Sequence, residues 1–188
     1  MVKVPKANPL TLSAVGMRRK NLYITEVDVY LVGISLSNKA LAQAKDWHEH
    51  HKDKCTLVSH LYNNTNKFAF PSETAVSATL KLQRTIYKDQ FITAFADALK
   101  GCSPDAITEF NTVMGKSIEQ PSVTTADQLV LYWLDNGEFV FCFNGVFGDV
   151  LTNQEVNKRL LEVYLDPART VCKELYVCFD SHIDQINA

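Results

Sequence analysis

The sequence predicts an α+β fold built around an antiparallel sheet. Predicted strands at 128–134 and 138–143 flank Asp135-Asn136-Gly137, a strong signal for a tight hairpin turn. The predicted helices are clustered and do not alternate one by one with strands, which argues against a doubly wound parallel sheet. The chain has 188 residues, of which 46% are hydrophobic and 21% are charged. These values are ordinary for a globular protein, and we expect one domain over residues 1–188.

In the first half, alternating apolar residues predict the strands, and a capping residue predicts the first helix. Ser37 is a suitable N-cap for a helix that runs through Trp47 and ends in the charged stretch near His51. The alternation of small and branched apolar residues favours β structure on both sides of this helix. Strands are predicted at 22–36, 67–70 and 73–86, and a short apolar segment lies at 55–62.

In the second half, start and stop signals define four helices. Phe91, Phe95 and Leu99 recur every four residues before Gly101, a typical C-terminal cap. The next three helices are each predicted from a starting signal. These signals are Ser103-Pro104, for a helix ending at Gly115; Thr152 with Glu155, as a capping box; and Asp166-Pro167, for the last helix. A short strand is predicted at 146–151.

Composition argues against several classes of function. The formal net charge is -2 and no basic stripe is present, so we expect no nucleic-acid partner. No apolar stretch approaches the roughly 20 residues that span a bilayer, and we expect no membrane insertion. Five cysteines without a Cys-x-x-Cys pair favour a reducing intracellular compartment, the cytoplasm or, if a transit peptide is removed, the plastid. The oligomeric state is left open.

The histidine-rich stretch Trp47-His48-Glu49-His50-His51 is interpreted as a solvated helix end. A metalloprotease helix needs His-Glu-x-x-His, and here the second histidine comes one or two residues too early, with no third ligand evident. No glycine-rich phosphate loop followed by Lys and Ser or Thr is present. We therefore predict no metal and no cofactor.

The segment Ala14-Val15-Gly16-Met17-Arg18-Arg19-Lys20 places three cations before an apolar strand that carries Tyr30. Taken by itself, this pattern indicates a turn with solvated charges.

Several segments, in order along nearly the whole chain, resemble the chalcone isomerase-like family. Gly16-Met17-Arg18 resembles its Gly-x-Arg, and Val29-Tyr30-Leu31-Val32-Gly33-Ile34-Ser35-Leu36 with the helix from Lys39 resembles the strand and helix that follow. Later segments resemble its hairpin and closing elements, namely Tyr132-Trp133-Leu134-Asp135-Asn136-Gly137, Asn144-Gly145 and Leu161-Glu162-Val163-Tyr164-Leu165-Asp166. The resemblance implies an open-faced sandwich, a curved antiparallel sheet with helices on one face and a ligand cleft between them.

The resemblance also implies site residues. Plant isomerases of this family close chalcones to flavanones with an arginine, a tyrosine and other polar residues, so Arg18 and Tyr87 are the candidate catalytic residues. Tyr30 stands where those enzymes have threonine, Ala94 where they have asparagine, and Asn157 where they have serine or threonine. Tyr30 is bulkier than threonine, and Ala94 has no side-chain hydrogen bond to offer.

An arginine with a tyrosine in the first strand instead resembles the fatty-acid-binding members of the family. The function predicted is therefore binding of a fatty acid or other small apolar acid in the cleft, with Arg18, Tyr30, Tyr87 and Asn157 as ligand-binding residues. Two alternatives remain: an intramolecular lyase acting on a chalcone-like substrate, and a non-catalytic partner of another enzyme. Whether the protein is an enzyme is thus left open at this point.

Overall fold

The computed structural model describes residues 9–22, 25–62, 74–134 and 136–186. The strands in these ranges are β1 (Leu10–Leu22), β2 (Thr25–Ser37), β3 (Thr74–Leu82), β4 (Ile86–Tyr87), β5 (Ser122–Val123), β6 (Gln128–Leu134), β7 (Phe139–Phe143) and β8 (Val146–Leu151). The α-helices are α1 (Asn38–Asp46), α2 (Leu57–Tyr62), α3 (Lys88–Ala98), α4 (Pro104–Ser117), α5 (Gln154–Leu165) and α6 (Lys173–His182). A π-helical turn, Trp47–His51, extends α1, and a 3₁₀ turn, Ile183–Gln185, follows α6.

Six strands form one antiparallel sheet in the order β1-β2-β3-β6-β7-β8, and β4 pairs with β5 separately. Alternate residues of each strand point to the same face of the sheet, and the register places them opposite residues of the neighbouring strands, so apolar side chains form rows across the sheet. One such row runs through Ile34, Ala78, Leu131 and Phe141, all of which are buried. Of the described strands, β1 and β8 form the two edges of this sheet.

The helices bury the core face of the sheet. α6 packs on β1, α1 packs against β2 and β3, and α4 packs against β7 and β8. The contact between α6 and β1 is so close that a Cβ atom at Gly16 would lie 2.7 Å from the Cα and Cβ atoms of Leu175. Only glycine allows this approach. The predicted α+β open-faced sandwich is confirmed.

Local signals predicted several elements well. Ser37 accepts a hydrogen bond from the Ala40 N–H at 3.2 Å and begins α1, and Ser103 begins α4 in the same way. Gly101 and Gly137 have φ of 99° and 82°, the left-handed region that these turns require. The prediction of a strand at 67–70 lies outside the described residues.

The main error concerns the first strand. Residues 14–20 are not a turn but the centre of β1, which pairs with β2 along its whole length. The three consecutive cations concealed the strand, because an edge strand tolerates charged residues that a central strand does not. The predicted strand at 22–36 is therefore the second arm of a hairpin.

Other boundaries also differ from the predictions. α5 begins at an Asn153 cap in place of Thr152, and α6 begins only at Lys173. Asp166 does not cap α6, because its carboxylate accepts the Ala168 N–H and folds the chain into a turn. The segment at 55–62 contains the short helix α2. No helix within the described ranges has the length and apolar character needed to cross a bilayer.

Candidate functional site: a cavity beneath the first hairpin

Strand register brings Arg18 and Tyr30 together. The two residues are directly opposite each other in the β1–β2 ladder, so their side chains share one face of the sheet. The next pair is Arg19 with Asp28, so Val29 is an extra residue that bulges β2. Both Arg18 and Tyr30 line one cavity between the sheet and the helices.

The two neighbouring arginines have different surroundings. Arg19 donates a 2.9 Å hydrogen bond to Asp28 and also pairs with Glu174 of α6. Arg18 donates to the Arg19 carbonyl oxygen at 2.7 Å, and no carboxylate in the described ranges lies within ion-pairing distance of it. Among the described residues, the Arg18 charge is thus uncompensated at the cavity wall, whereas the Arg19 charge is neutralised.

Tyr164 of α5 adds a second phenol to this end of the cavity. Its side chain is fully buried, and its hydroxyl group has no hydrogen bond of normal geometry to any described residue. Tyr30 is close enough for each phenol to shift the pKa of the other through side-chain hydrogen bonding. A buried phenol usually has a well-formed hydrogen bond, so a ligand oxygen that bonds this hydroxyl group more closely than Tyr30 does would be stabilised here.

Both phenols stay protonated at physiological pH. Burial raises the pKa of Tyr30 to about 12, against the opposing influence of Tyr164 and of the Arg18 charge. Burial raises the pKa of Tyr164 well above its usual value, and Tyr30 raises it further. The cavity end therefore presents one guanidinium cation and two neutral hydroxyl groups, a set suited to bind an anion.

The rest of the cavity is largely apolar, and its volume is about 590 Å³. One wall is the inner face of α3, where the Phe91 and Phe95 rings meet edge to face with centroids 5.1 Å apart. The remaining apolar lining residues are Val29, Ile86, Ala94, Ala98, Val163, Ala168 and Val171. A volume of this size lies within the range of small-molecule sites.

The rim of the cavity is charged. Lys20, Asp97, Lys100 and Arg169 contribute to it. Arg169 lies 3.4 Å from a carboxylate oxygen of Glu162, which fixes its place in the loop after α5. The charged rim and apolar interior match an amphipathic ligand.

Two of the predicted site residues are not part of this lining. Tyr87 lies at the N-cap of α3 with 69% of its surface exposed. Asn157 is fully buried and donates hydrogen bonds from its side chain to the carbonyl oxygens of Gly137 (2.7 Å) and Leu151 (3.0 Å). Its own carbonyl oxygen accepts the Trp133 indole N–H at 2.8 Å. Asn157 thus links the hairpin, β8 and α5, and a role in ligand binding for it or for Tyr87 stays a prediction.

Phe91 and Phe95 line the cavity, whereas Val32 and Phe110 belong to the core. Tyr164 was missed as a site residue. Its signal in the sequence is a phenol within the apolar stripe of a helix, where a hydroxyl group needs a partner.

A larger depression of about 740 Å³ lies where the end of α4 meets β8, with Lys116, Glu119 and Asp149 in its lining. Lys116 and Asp149 are exposed and lie 3.7 Å apart. Because these two charges are solvated and compensate each other, the depression offers no unpaired charge that could orient a ligand. We therefore place the candidate site at the Arg18 cavity.

Comparisons with known proteins support the fold. No protein-family model matches the chain, and no curated protein matches its sequence. The structure is similar to the crystal structure of a fatty-acid binding protein from Arabidopsis thaliana, with a TM-score of 0.68. The match covers 95% of this chain and 90% of that chain at 15% sequence identity. The predicted chalcone isomerase-like fold is thereby confirmed.

Proposed function

We propose that the cavity binds a fatty acid or another small apolar acid, with Arg18, Tyr30 and Tyr164 at the carboxylate and the α3 wall along the tail. The observation that carries the proposal is an arginine with no carboxylate partner among the described residues, beside the half-buried phenol of Tyr30 and the fully buried phenol of Tyr164, whose hydroxyl group has no hydrogen bond of normal geometry. A carboxylate supplies the missing negative charge and the missing acceptors together.

The tail dominates the affinity and the head group fixes the orientation. Each hydrogen bond to a charged group contributes about 1.5–3 kcal/mol net. Each buried methylene contributes about 0.8 kcal/mol, so ten of them give on the order of 8 kcal/mol before the losses of entropy on binding. At roughly 30 Å³ for each non-hydrogen atom, the volume of one water in the liquid, the 590 Å³ cavity holds about 20 such atoms. Acids of roughly 16–18 carbons should therefore be the longest that fit.

The ligand class given for the structural neighbour also supports this proposal. The Arabidopsis protein is described as a fatty-acid binding protein, and its fold matches along nearly the whole of both chains. Its ligand class is carried over as part of the proposal, and the independent support comes from the Arg18 cavity itself.

The isomerase alternative has less support from the geometry. Its second catalytic candidate, Tyr87, is exposed and outside the cavity lining. Ala94 lines the cavity but has no polar side-chain atom to orient a substrate or a water molecule. The partner-protein alternative predicts a closed cleft, whereas this cavity opens to a charged rim.

The adjacent arginines provide a matched pair of variants for the test. Purified protein is titrated with saturated fatty acids of increasing length, and affinity is compared for wild type, Arg18→Ala and Arg19→Ala. Loss of one charged hydrogen bond should weaken binding about 10- to 100-fold in Arg18→Ala. Arg19→Ala should bind like wild type after correction for its own stability.

Tyr164→Phe, which removes only the unsatisfied hydroxyl group, should weaken binding about 3- to 10-fold. Equal affinities for Arg18→Ala and Arg19→Ala, or affinity that does not rise with chain length, would refute the proposal. A chalcone that is bound and turned over by wild type while fatty acids are not bound would establish the isomerase alternative.

The proposal includes a reducing compartment, the cytoplasm or the plastid, as the site of action. All five cysteines carry free thiols in the structure, and three of them are buried. Buried thiols of this kind act as small apolar core residues.

A further inference from the structure

The chain folds so that Asp46, His51 and His60 come together on one surface. Each contributes one ligand atom, and these atoms all lie within 4.8 Å of one another. His51 Nε2 and His60 Nε2 lie 3.5 Å and 3.3 Å from the same carboxylate oxygen, Oδ2 of Asp46. None of these residues lines the Arg18 cavity.

The π-helical turn Trp47–His51 creates the first half of this cluster. In an ordinary α-helix, residues five apart point about 140° away from each other, because successive residues are rotated by roughly 100°. The wider turn of a π-helix, with its i→i+5 hydrogen bonds, returns His51 to the side of Asp46. Single π-helical turns are frequent at functional sites.

The loop after the turn supplies the third group. The His51 carbonyl oxygen accepts the backbone N–H groups of Lys54 (2.9 Å) and Cys55 (3.1 Å), which reverses the chain. The Trp47 indole donates to the Cys55 carbonyl oxygen at 2.8 Å and holds this loop against α1. α2 then runs back beside the turn and places the His60 ring on the His51 ring, with centroids 4.9 Å apart.

We propose that Asp46, His51 and His60 form a binding site for one divalent transition-metal ion of the Zn²⁺ class, with two imidazole nitrogens and one carboxylate oxygen as ligands. This set is a well-known combination for such ions, and it leaves a coordination position open to water. The site is additional to the function proposed for the cavity.

The distances suit tetrahedral coordination. With metal–ligand bonds of about 2.0–2.1 Å, two ligands of a tetrahedral zinc lie about 3.3 Å apart. The two separations from Oδ2 of Asp46, 3.3 Å to His60 Nε2 and 3.5 Å to His51 Nε2, already match this value. Only the two imidazole rings must tilt towards each other, and His51 and Asp46 are at the surface, where such movement is easy.

A further histidine supports the carboxylate ligand. His50 Nδ1 lies 3.3 Å from the other carboxylate oxygen of Asp46 and can orient that carboxylate from outside the cluster.

The test is calorimetric titration of metal-free, tag-free protein with ZnCl₂ at neutral pH, without lipid. We expect one Zn²⁺ for each chain in wild type. His60→Gln, His51→Gln and Asp46→Asn should each weaken binding by at least about tenfold. The matched control is His182→Gln, since His182 lies outside the cluster and contacts the Cys178 carbonyl oxygen at 2.9 Å. It should bind Zn²⁺ like wild type.

A second measurement reads the coordination directly. Co²⁺ in place of Zn²⁺ should give wild type the intense visible absorption of a tetrahedral site, and His51→Gln should lose it. His51 and Asp46 are surface positions, so their variants keep the test valid if His60→Gln does not fold. Absence of zinc binding in wild type would overturn the proposal. Equal binding by wild type and all three cluster variants would also overturn it, because it would show adventitious binding by surface histidines.

Discussion

Replacing Gly16 by alanine should destabilise the protein and weaken ligand binding at the same time. The added Cβ would lie 2.7 Å from the Cα and Cβ atoms of Leu175 in α6. These atoms belong to or adjoin the helix backbone and cannot be relieved by a change of rotamer. Overpacking of this kind costs about 1–3 kcal/mol, and we expect the upper end. Alanine has less conformational entropy than glycine in the unfolded chain, which offsets about 0.4–1 kcal/mol of this cost. The net loss in the free energy of unfolding is therefore about 2 kcal/mol.

For a chain of this length, a net loss of about 2 kcal/mol corresponds to a fall of about 4–8 °C in the melting temperature. Because Gly16 and Arg18 are two residues apart on one strand face, displacing β1 from α6 also displaces Arg18, so fatty-acid affinity should fall too. Urea unfolding and ligand titration of Gly16→Ala measure both effects.

Gly33→Ala in β2 is the matched control. A Cβ there would meet the Cδ1 atom of Leu12 at 3.2 Å and the backbone oxygen of Ala14 at 4.0 Å, an ordinary contact distance; Leu12 is 60% exposed and can rotate away. We expect a change in stability within about 0.5 kcal/mol and unchanged ligand affinity. If Gly16→Ala were as stable as Gly33→Ala, the close contact between α6 and β1 would not exist as described.

Three further predictions concern the cavity and its surroundings. The pKa of Tyr30 is about 12 in the folded state and roughly 10 in the unfolded state. The contribution of its neutral hydroxyl group to the free energy of unfolding is therefore complete below pH 10 and is lost as the pH rises to 12. Because Tyr164 titrates in both proteins, the Tyr30 effect is the difference in urea-unfolding free energy between wild type and Tyr30→Phe, which should change by roughly 2–3 kcal/mol in all, half of it by pH 11. Asn157→Ala, which leaves two buried carbonyl oxygens without a donor, should lower stability by about 2–4 kcal/mol. If the cavity lining alone binds the ligand, Asn157→Ala should leave affinity unchanged and Tyr87→Phe should change neither quantity; a loss of affinity in either variant would support the ligand-binding role predicted from the sequence. Ala94→Trp, at an exposed position on the cavity wall, should weaken long-chain acids by about 0.8 kcal/mol for each excluded methylene and spare short ones, as titration across the series will show.

Signals confined to a few neighbouring residues were the ones that sequence reasoning could use. Ser103-Pro104 predicted the start of α4, and the turn with Gly137 at positive φ predicted the hairpin of β6 and β7. In both cases the residues that carry the signal are themselves the cap or the turn, so no distant part of the chain is needed to predict it. The fold class followed from these local elements and from the family resemblance.

Features that depend on distant parts of the chain could not be predicted. The pairing of Arg18 with Tyr30 depends on a bulge at Val29, and a shift of one residue would have sent one side chain to the other face. Tyr164 reaches the same cavity from a helix more than 130 residues further along the sequence. Likewise, His51 lacked a third ligand in the sequence because His60 is brought back only by the loop and α2.

The position of Arg18 on an edge strand links occupancy of the cavity to the integrity of the sheet. β1 is held by β2 on one side and by α6 on its face, and edge strands are among the first elements to open locally. A ligand that binds Arg18 only when β1 is paired with β2 must stabilise the paired state over the locally open one by mass action. The empty protein should therefore expose the β2 edge more often, and an exposed edge can pair with another chain. An acid in the cavity would thus also act as a safeguard against aggregation.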